Sequence, residues 1–133
     1  MGHPPSKGGA GLLFALFIYL FDFMATIDIT TEEEFAAALA TPDVLIIADF
    51  WAEWCGPCRM LWPVLHQVAE KYPDTVLLLK VDVDQPGNQN LAMTYNIRSI
   101  PQVNFFKNGA GVDQFIGVLP PAQVEAIVEK YIG

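Results

Sequence analysis

Residues 44–58 read VLIIADFWAEWCGPC, and this stretch decides the fold that the sequence predicts. Residues 44–51 form an almost continuous apolar run rich in branched and aromatic side chains, which is typical of a strand buried on both faces. Asp49 is the only charged residue in that run. The run leads to Cys55 and Cys58, after which apolar residues recur at helical spacing. The stretch therefore predicts a buried strand, a C-x-x-C turn and an amphipathic helix beginning near Cys58.

The rest of the chain predicts further helices and strands on both sides of this stretch. Thr30 and Glu33 have the spacing of a capping box, which indicates a helix start. The predicted elements are a strand at about 26–29, a helix ending at 41–43, the strand at 44–51, a helix at about 58–72, a strand at 76–83, a short helix at 86–95, strands at 102–106 and 112–116, and a helix at 120–131. Strand–helix–strand units need parallel strands, whereas the closing hairpin adds antiparallel ones. The sequence thus predicts an α/β fold in which a mixed five-stranded sheet is flanked by four helices.

The charge balance of the chain argues against two classes of partner. Its 133 residues include 7 Lys and Arg and 15 Asp and Glu, for a formal net charge of −8. Binding to nucleic acid needs a basic face, and electrostatic docking on an anionic membrane surface needs basic residues as well. With 53% hydrophobic residues the chain can build a packed core. We therefore expect a single globular domain that has no nucleic-acid partner.

The first 23 residues differ in composition from the rest, and we expect the domain proper to comprise residues 24–133. Residues 12–21, LLFALFIYLF, are uninterrupted apolar residues, but the uncharged stretch around them has only fourteen residues, at 8–21. A membrane-spanning helix needs about twenty. The run has the length of a signal-peptide core, although bulky Phe23 is poorly suited to a cleavage site after Ala25. Two interpretations of these residues stay open: a signal or anchor, and an extension without clear function.

The C-x-x-C sequence supports redox chemistry better than metal binding. Two thiols at this spacing can close a disulfide, and a helix N-terminus favours a thiolate at the first cysteine. The second cysteine can then resolve a mixed disulfide by exchange. The alternative is half of a zinc or iron–sulfur site, but a second C-x-x-C is absent and the chain's histidines are only His3 and His66. We therefore predict no metal site and interpret His66 as a solvated residue on a helix face.

Three blocks of sequence resemble the thioredoxin family. Residues 49–60, DFWAEWCGPCRM, are similar to the active-site segment of the family. Residues 95–101, YNIRSIP, resemble its loop that carries a cis-proline opposite the cysteines, and residues 106–109, FKNG, resemble its hairpin. The blocks lie in the family's order within residues 26–133 and leave out residues 1–23. The resemblance implies the thioredoxin fold and a thiol–disulfide oxidoreductase, that is, a protein disulfide reductase.

The resemblance also implies roles for four residues. Cys55 is expected to be the attacking thiol and Cys58 the resolving thiol. Asp49 corresponds to the family's buried aspartate below the cysteines, and Lys80 to its partner on the next strand. Asp49 is the lone charge in its apolar strand and Lys80 is the lone base in the next one, and a buried charge is costly unless it is paired. A desolvated Asp49 could exchange a proton with Cys58; the alternative is that both charges point outward.

A substrate groove is implied by the same resemblance, with a cis bond between Ile100 and Pro101. The residues expected to bind substrate are Trp54, Gly56, Pro57, Ile100, Pro101, Gly117 and Val118. Three positions depart from the family pattern, since Asn96 and Ser99 stand where Gly is frequent and Gln102 stands where Thr is usual. These departures do not touch the thiols, but they could change which partners fit the groove.

The resemblance implies that the protein serves electron transport and cell redox homeostasis. No flavin or nucleotide motif is present in the sequence, so we expect no bound cofactor. Electrons would come from a thioredoxin reductase, either NADPH-linked or ferredoxin-linked, and would pass to disulfide-containing protein substrates. We expect a cytoplasmic monomer. Two alternatives remain open: a redox-independent binding module with the same fold, and a thioredoxin exported or tethered to a membrane through residues 12–21.

Overall fold

The computed structural model describes residues 26–132, and these contain the five strands and four helices that the sequence predicts. The strands are β1 (Thr26–Ile29), β2 (Leu45–Trp51), β3 (Val76–Asp82), β4 (Gln102–Lys107) and β5 (Ala110–Ile116). The helices are α1 (Glu32–Leu39), α2 (Gly56–Lys71), α3 (Gln89–Thr94) and α4 (Pro121–Ile132), with a 3₁₀ turn at Pro86–Asn88 before α3. The predicted fold class is confirmed.

The strands form one mixed sheet in the order β1-β3-β2-β4-β5. β3 pairs in parallel with both β1 and β2, whereas β4 pairs antiparallel with β2 and with β5. β2 is therefore the middle strand, and hydrogen-bonded neighbours protect both of its edges. The carboxyl end of this central strand leads into the loop that carries the cysteines, so the site is attached to the best-supported strand of the sheet.

Two apolar layers cover the two faces of the sheet, because successive side chains of a strand point to opposite faces. One layer packs α2 and α4 against residues such as Ile47, Leu78 and Phe105. The other packs α1 and α3 against residues such as Ile46 and Leu79. Burial on both faces explains why β2 has a continuous apolar sequence in place of an alternating one.

The cap of α1 lies one residue later than the sequence analysis predicted. Thr31, not Thr30, is the N-cap: its side-chain oxygen accepts a hydrogen bond from the backbone N–H of Glu34 at 3.1 Å. The Glu34 carboxylate in turn accepts from the backbone N–H of Thr31 at 3.2 Å and from that of Thr30 at 2.7 Å. Two threonines and three glutamates in a row allow two registers of the same motif. The register in which both threonines reach Glu34 is the one formed.

The helix after the cysteines begins earlier than the prediction near Cys58. α2 starts at Gly56, Cys55 is its N-cap, and Pro57 lies in its first turn. Proline suits this position because its fixed φ is helical and its missing N–H has no partner in the first turn. Apolar periodicity could not locate this start, since Gly56 and Pro57 contribute nothing to it. The helix continues through Pro63.

Two expectations about the N-terminus lie outside the described residues. These are the nature of the apolar run at residues 12–21 and the domain boundary between residues 23 and 24. Among residues 26–132, no helix is long and apolar enough to cross a membrane.

Candidate active site

The two cysteines lie at the N-terminus of α2, immediately after the central strand. They are joined by a disulfide, with their Cα atoms 5.3 Å apart. Cys55 exposes 5% of its surface and Cys58 only 1%, so Cys55 is the more accessible of the two. Ala52 and the half-buried Val83 and Ile100 pack around them. The pair is therefore enclosed on most sides and reached by solvent at Cys55.

The backbone at the start of α2 favours negative charge on the sulfur of Cys55. The Sγ atom of Cys55 accepts a hydrogen bond from the backbone N–H of Cys58 at 3.2 Å. The first turn of the helix contains no acidic residue. The N-terminus of a helix carries a partial positive charge, which stabilises a nearby anion. In the reduced protein the same arrangement favours a thiolate at Cys55 over one at Cys58.

The loop before β4 forms the wall opposite Cys55. The peptide bond between Ile100 and Pro101 is cis, as the family resemblance implied. The carbonyl oxygen of Ile100 lies 3.8 Å from the Sγ atom of Cys55. The backbone N–H of Gly117 donates to the carbonyl of Pro101 at 2.8 Å, so the end of β5 is tied to the same loop. Gly117 has a φ of 90°, a backbone conformation that favours glycine.

Exposed apolar side chains flank this part of the molecule. Trp54, the residue before Cys55, exposes 71% of its surface. Its indole N–H donates to the carboxylate of Asp84 at 2.7 Å, which holds the ring in place. Val118, after Gly117, is exposed as well, and so are Ile116 and Met60. A single exposed apolar residue is ordinary, but several of them on the segments next to Cys55 and next to Gly117 indicate a contact surface.

Asp49 and Lys80 are neighbours on β2 and β3, and both are buried. Their side chains point toward the face covered by α2. Neither the carboxylate of Asp49 nor the Nζ atom of Lys80 has a hydrogen-bond partner among residues 26–132. Burial raises the pKa of Asp49 to about 7, and the charge of Lys80 reduces that rise. Burial lowers the pKa of Lys80 to about 8, and nearby carboxylates, Asp49 first, reduce that fall.

Two tryptophans enclose the charged end of Lys80. Its Nζ atom lies 2.9 Å from the ring centroid of Trp62 on α2 and 4.3 Å from that of Trp51 on β2. The two indole rings are stacked, with centroids 5.7 Å apart. His66 packs edge-on against Trp62 at 5.4 Å. A cavity of about 370 Å³ lies beside this cluster and is lined by Asp28 as well.

Comparison with known proteins places this geometry in a family. The thioredoxin family model matches residues 26–130. Thioredoxins from Porphyra purpurea and Chlorobaculum thiosulfatiphilum are each 40% identical to this chain, and each alignment covers 77% of it and 94% of the relative. Among solved structures, a mutant thioredoxin from Halobacterium salinarum NRC-1 is similar with a TM-score of 0.74 at 31% identity, covering 81% of this chain and 91% of that one. The chain belongs to the thioredoxin family.

Thioredoxin O2 from Arabidopsis thaliana in its oxidized state is a further structural relative, with a TM-score of 0.72 and 30% identity over 83% of this chain and 96% of that one. As a thioredoxin-family protein, the chain is a dithiol–disulfide oxidoreductase, and Cys55 and Cys58 are its redox-active pair. The prediction of an enzyme is confirmed, and the redox-independent binding module is not favoured. Within residues 26–132 no group of three His, Cys, Asp or Glu is placed to hold a metal ion.

Sequence reasoning missed Trp62 and misjudged His66. His66 was interpreted as a solvated helix-face residue, but it is half-buried against Trp62. Its pKa is lowered by burial first and then by the charge of Lys80. The spacing of four residues between Trp62 and His66, which places them on one helix face, was available in the sequence. The contact of Trp62 with Lys80 joins a helix to a strand, so no local sequence pattern predicts it.

Proposed function

We propose that this thioredoxin-family protein is a protein disulfide reductase in which Cys55 attacks and Cys58 resolves. The observation that carries the proposal is the unequal setting of the two sulfurs. The Sγ atom of Cys55 caps the helix and accepts an N–H, and Cys55 is the more exposed residue, whereas Cys58 is almost completely enclosed. An attacking thiolate needs access and stabilisation, while a resolving thiol needs only to reach its neighbour.

The proposed reaction transfers two electrons to the substrate in two exchange steps. The Cys55 thiolate attacks one sulfur of a substrate disulfide, so that a mixed disulfide forms and one substrate thiolate leaves. The Cys58 thiol then loses its proton and attacks the Cys55 sulfur, which releases the second substrate thiolate. The protein ends with the Cys55–Cys58 disulfide, and the substrate ends as a dithiol.

Asp49 is proposed to accept the proton of Cys58, directly or through water. Its pKa of about 7 makes the carboxylate available near neutral pH and still basic enough to take a proton. Lys80 supports this role because its charge opposes the rise that burial imposes on the pKa of Asp49. Both residues lie on the face of the sheet that α2 covers, and α2 is the helix that begins at the cysteines.

The substrate is proposed to bind as an extended segment across the groove beside Cys55. The proposed contact residues are Trp54, Gly56, Pro57, Ile100, Pro101, Gly117 and Val118. Support comes from the 3.8 Å approach of the Ile100 carbonyl to Cys55 and from the tie between Gly117 and Pro101. An extended peptide gains affinity from backbone hydrogen bonds and specificity from side-chain pockets. Apolar side chains such as Trp54 would supply this specificity.

The proposal also covers the electron source, the assembly and the location. A thioredoxin reductase, NADPH-linked or ferredoxin-linked, would restore the dithiol, so the chain needs no cofactor of its own. The domain would comprise residues 24–133, act as a monomer and serve electron transport in the cytoplasm. Sequencing the mature N-terminus in the native host tests the location. A start at Thr26 would indicate export, and a start at Met24 would mean that residues 12–21 are not translated.

Insulin reduction with dithiothreitol tests the reductase itself. Replacing Cys55 or Cys58 by Ser should abolish turnover, because each exchange step needs its own sulfur. On non-reducing gels Cys58→Ser should accumulate mixed disulfides with substrates, whereas Cys55→Ser should not. The reverse trapping pattern would exchange the two roles, and binding of partners that survives in both variants without turnover in the wild type would favour a binding module.

A further inference from the structure

Lys80 is held by aromatic faces and not by hydrogen bonds. Its Nζ atom lies over the rings of Trp62 and Trp51, and within the described part of the chain it has no hydrogen-bond partner. Lys80 exposes only 2% of its surface, while Trp62 exposes 39%. Trp62 is therefore the side chain that separates the ammonium group from solvent on this side. An ammonium over an indole face is attracted by the electrons of the ring, most strongly where water is excluded.

Carboxylates surround Lys80 on more than one side. Asp49 is its neighbour on β2 and Asp28 its neighbour on β1, while Asp82 lies farther along β3. All three attract the ammonium group electrostatically. Asp28 and Asp82 also line the cavity of about 370 Å³, together with Lys80 and both tryptophans. A lysine has a long flexible side chain, so the cavity offers it a second position near these two more exposed acids.

We propose that Trp62 is a positioning residue for the redox reaction: its indole face holds the ammonium group of Lys80 beside Asp49 and out of the cavity lined by Asp28 and Asp82. The role rests on the proposed function of Asp49 as the proton acceptor. Trp51 forms the second side of the clamp, but Trp62 comes from α2, so the helix that carries the cysteines also controls the position of the lysine.

The clamp affects the proton affinity of Asp49. Burial raises the pKa of this carboxyl, and the charge of Lys80 is what opposes the rise. If Lys80 moved into the cavity, Asp49 would keep its burial but lose its counter-charge. His66, which faces the cluster from α2, would not replace that charge, because burial is the largest cause of its lowered pKa and does not depend on Lys80. The pKa of Asp49 should then rise further.

The test is a titration of Asp49 by carboxyl ¹³C NMR in the full-length oxidised protein, where the cysteines are bonded and do not titrate. Three proteins are compared: the wild type, Trp62→Phe and Trp62→Leu. Phenylalanine keeps an aromatic face, whereas leucine fills space without one. We expect Trp62→Leu to raise the midpoint of Asp49 by at least about 0.5 pH unit, roughly a threefold gain in proton affinity, and Trp62→Phe to stay within about 0.2 unit of the wild type.

A lysine variant shows whether Trp62 acts through Lys80. Lys80→Met should raise the Asp49 midpoint at least as far as Trp62→Leu does. Adding Trp62→Leu to Lys80→Met should then change nothing, because no ammonium remains to be held. An equal shift in both backgrounds would overturn the proposal, since Trp62 would then act only by excluding water. The absence of a shift in Trp62→Leu, or equal shifts for Leu and Phe, would overturn it as well.

Circular dichroism and an insulin-reduction assay serve as controls for this titration. Circular dichroism checks that each variant is folded, and Trp62→Met replaces Trp62→Leu if the leucine variant is not. The titration does not depend on turnover, so it separates this inference from the reductase proposal. A wild-type protein that fails to reduce insulin would count against the reductase, whereas the Asp49 midpoints decide the role of Trp62 in either case.

Discussion

The two faces of the central strands are buried to a similar depth, yet they are filled with different chemistry. On the face covered by α1 and α3, aromatic rings contact one another: Phe35 lies 5.5 Å from Tyr95, 6.0 Å from Phe106 and 6.4 Å from Phe50 between ring centroids. On the face covered by α2 and α4, Asp49 and Lys80 interrupt an otherwise apolar layer. Among the described residues, buried charge is confined to the second face, where it lowers stability beside the helix that carries the cysteines.

This contrast follows from what each face lies next to. α2 carries the cysteines at its N-terminus, and Asp49, the proposed proton acceptor for Cys58, lies under α2 and not under α1. A carboxylate in that position loses its contact with water, and this loss opposes folding unless a counter-charge compensates. The opposite face has no such requirement. Its aromatic rings add to stability through both burial and favourable ring geometry.

The largest expected effect comes from breaking the aromatic face. Phe35→Ala should lower the free energy of unfolding by about 3–5 kcal/mol, because a buried ring is lost and a cavity remains. Urea denaturation measures this change. Phe35→Leu is the matched control, which keeps most of the volume and should lose much less. The folded fraction of Phe35→Ala should still reduce insulin at close to the wild-type rate, since Phe35 lies on the face away from α2; a lost rate would show that the faces are not separate.

Removing the charge on the opposite face should have the reverse sign. Asp49→Ala should raise the free energy of unfolding by at most about 1–3 kcal/mol above pH 7, because a desolvated carboxylate is removed. The loss of Lys80's partner opposes this gain and limits it. Turnover of insulin should slow without stopping, since the nucleophile is intact. Urea denaturation and the insulin assay measure the two effects. A loss of stability at pH 8 would mean that Asp49 is firmly paired.

The gain in stability should depend on pH in a direction set by the raised pKa of Asp49. The carboxyl titrates near 3.8 in the unfolded chain and at about 7 in the folded one. Below pH 3.8 both states are protonated and the charge penalty is absent. Between the two values the unfolded chain loses its proton first, so the wild type becomes less stable as pH rises. The advantage of Asp49→Ala in urea denaturation should therefore grow up to about pH 7 and then level off. An advantage that stays constant over this range would contradict the raised pKa.

The smallest effect on stability is expected at the rim of the groove. Trp54→Ala should change the free energy of unfolding by no more than about 0.5 kcal/mol, because the ring is largely exposed. It should raise the KM for insulin more than it changes the reaction with a small disulfide, which needs no groove. Trp54→Phe keeps an apolar ring, so its KM for insulin should lie between those of the wild type and Trp54→Ala. Equal effects on both substrates would place Trp54 in the thiol chemistry and not in substrate binding.

Much of the fold could be predicted from local patterns. The continuous apolar runs of β2 and β3 indicated a sheet buried on both faces, and the strands and helices were found in the correct order. The starts of two helices were predicted wrongly. At α1 the sequence allows two registers of the same capping motif, and at α2 the first residues, Gly56 and Pro57, do not contribute to the apolar periodicity. Such boundaries depend on a few hydrogen bonds, which a hydrophobic pattern does not record.

The sequence by itself determined the chemistry of the protein: two thiols spaced C-x-x-C after a buried strand, one acid within that strand and one base within the next. Only the tertiary structure decided how these groups meet. The pairing of β2 with β3 places Asp49 beside Lys80, and the packing of α2 brings Trp62 over the lysine. Contacts between residues far apart in the chain depend on the register of strands and the docking of a helix, and those are settled by the burial of the whole core.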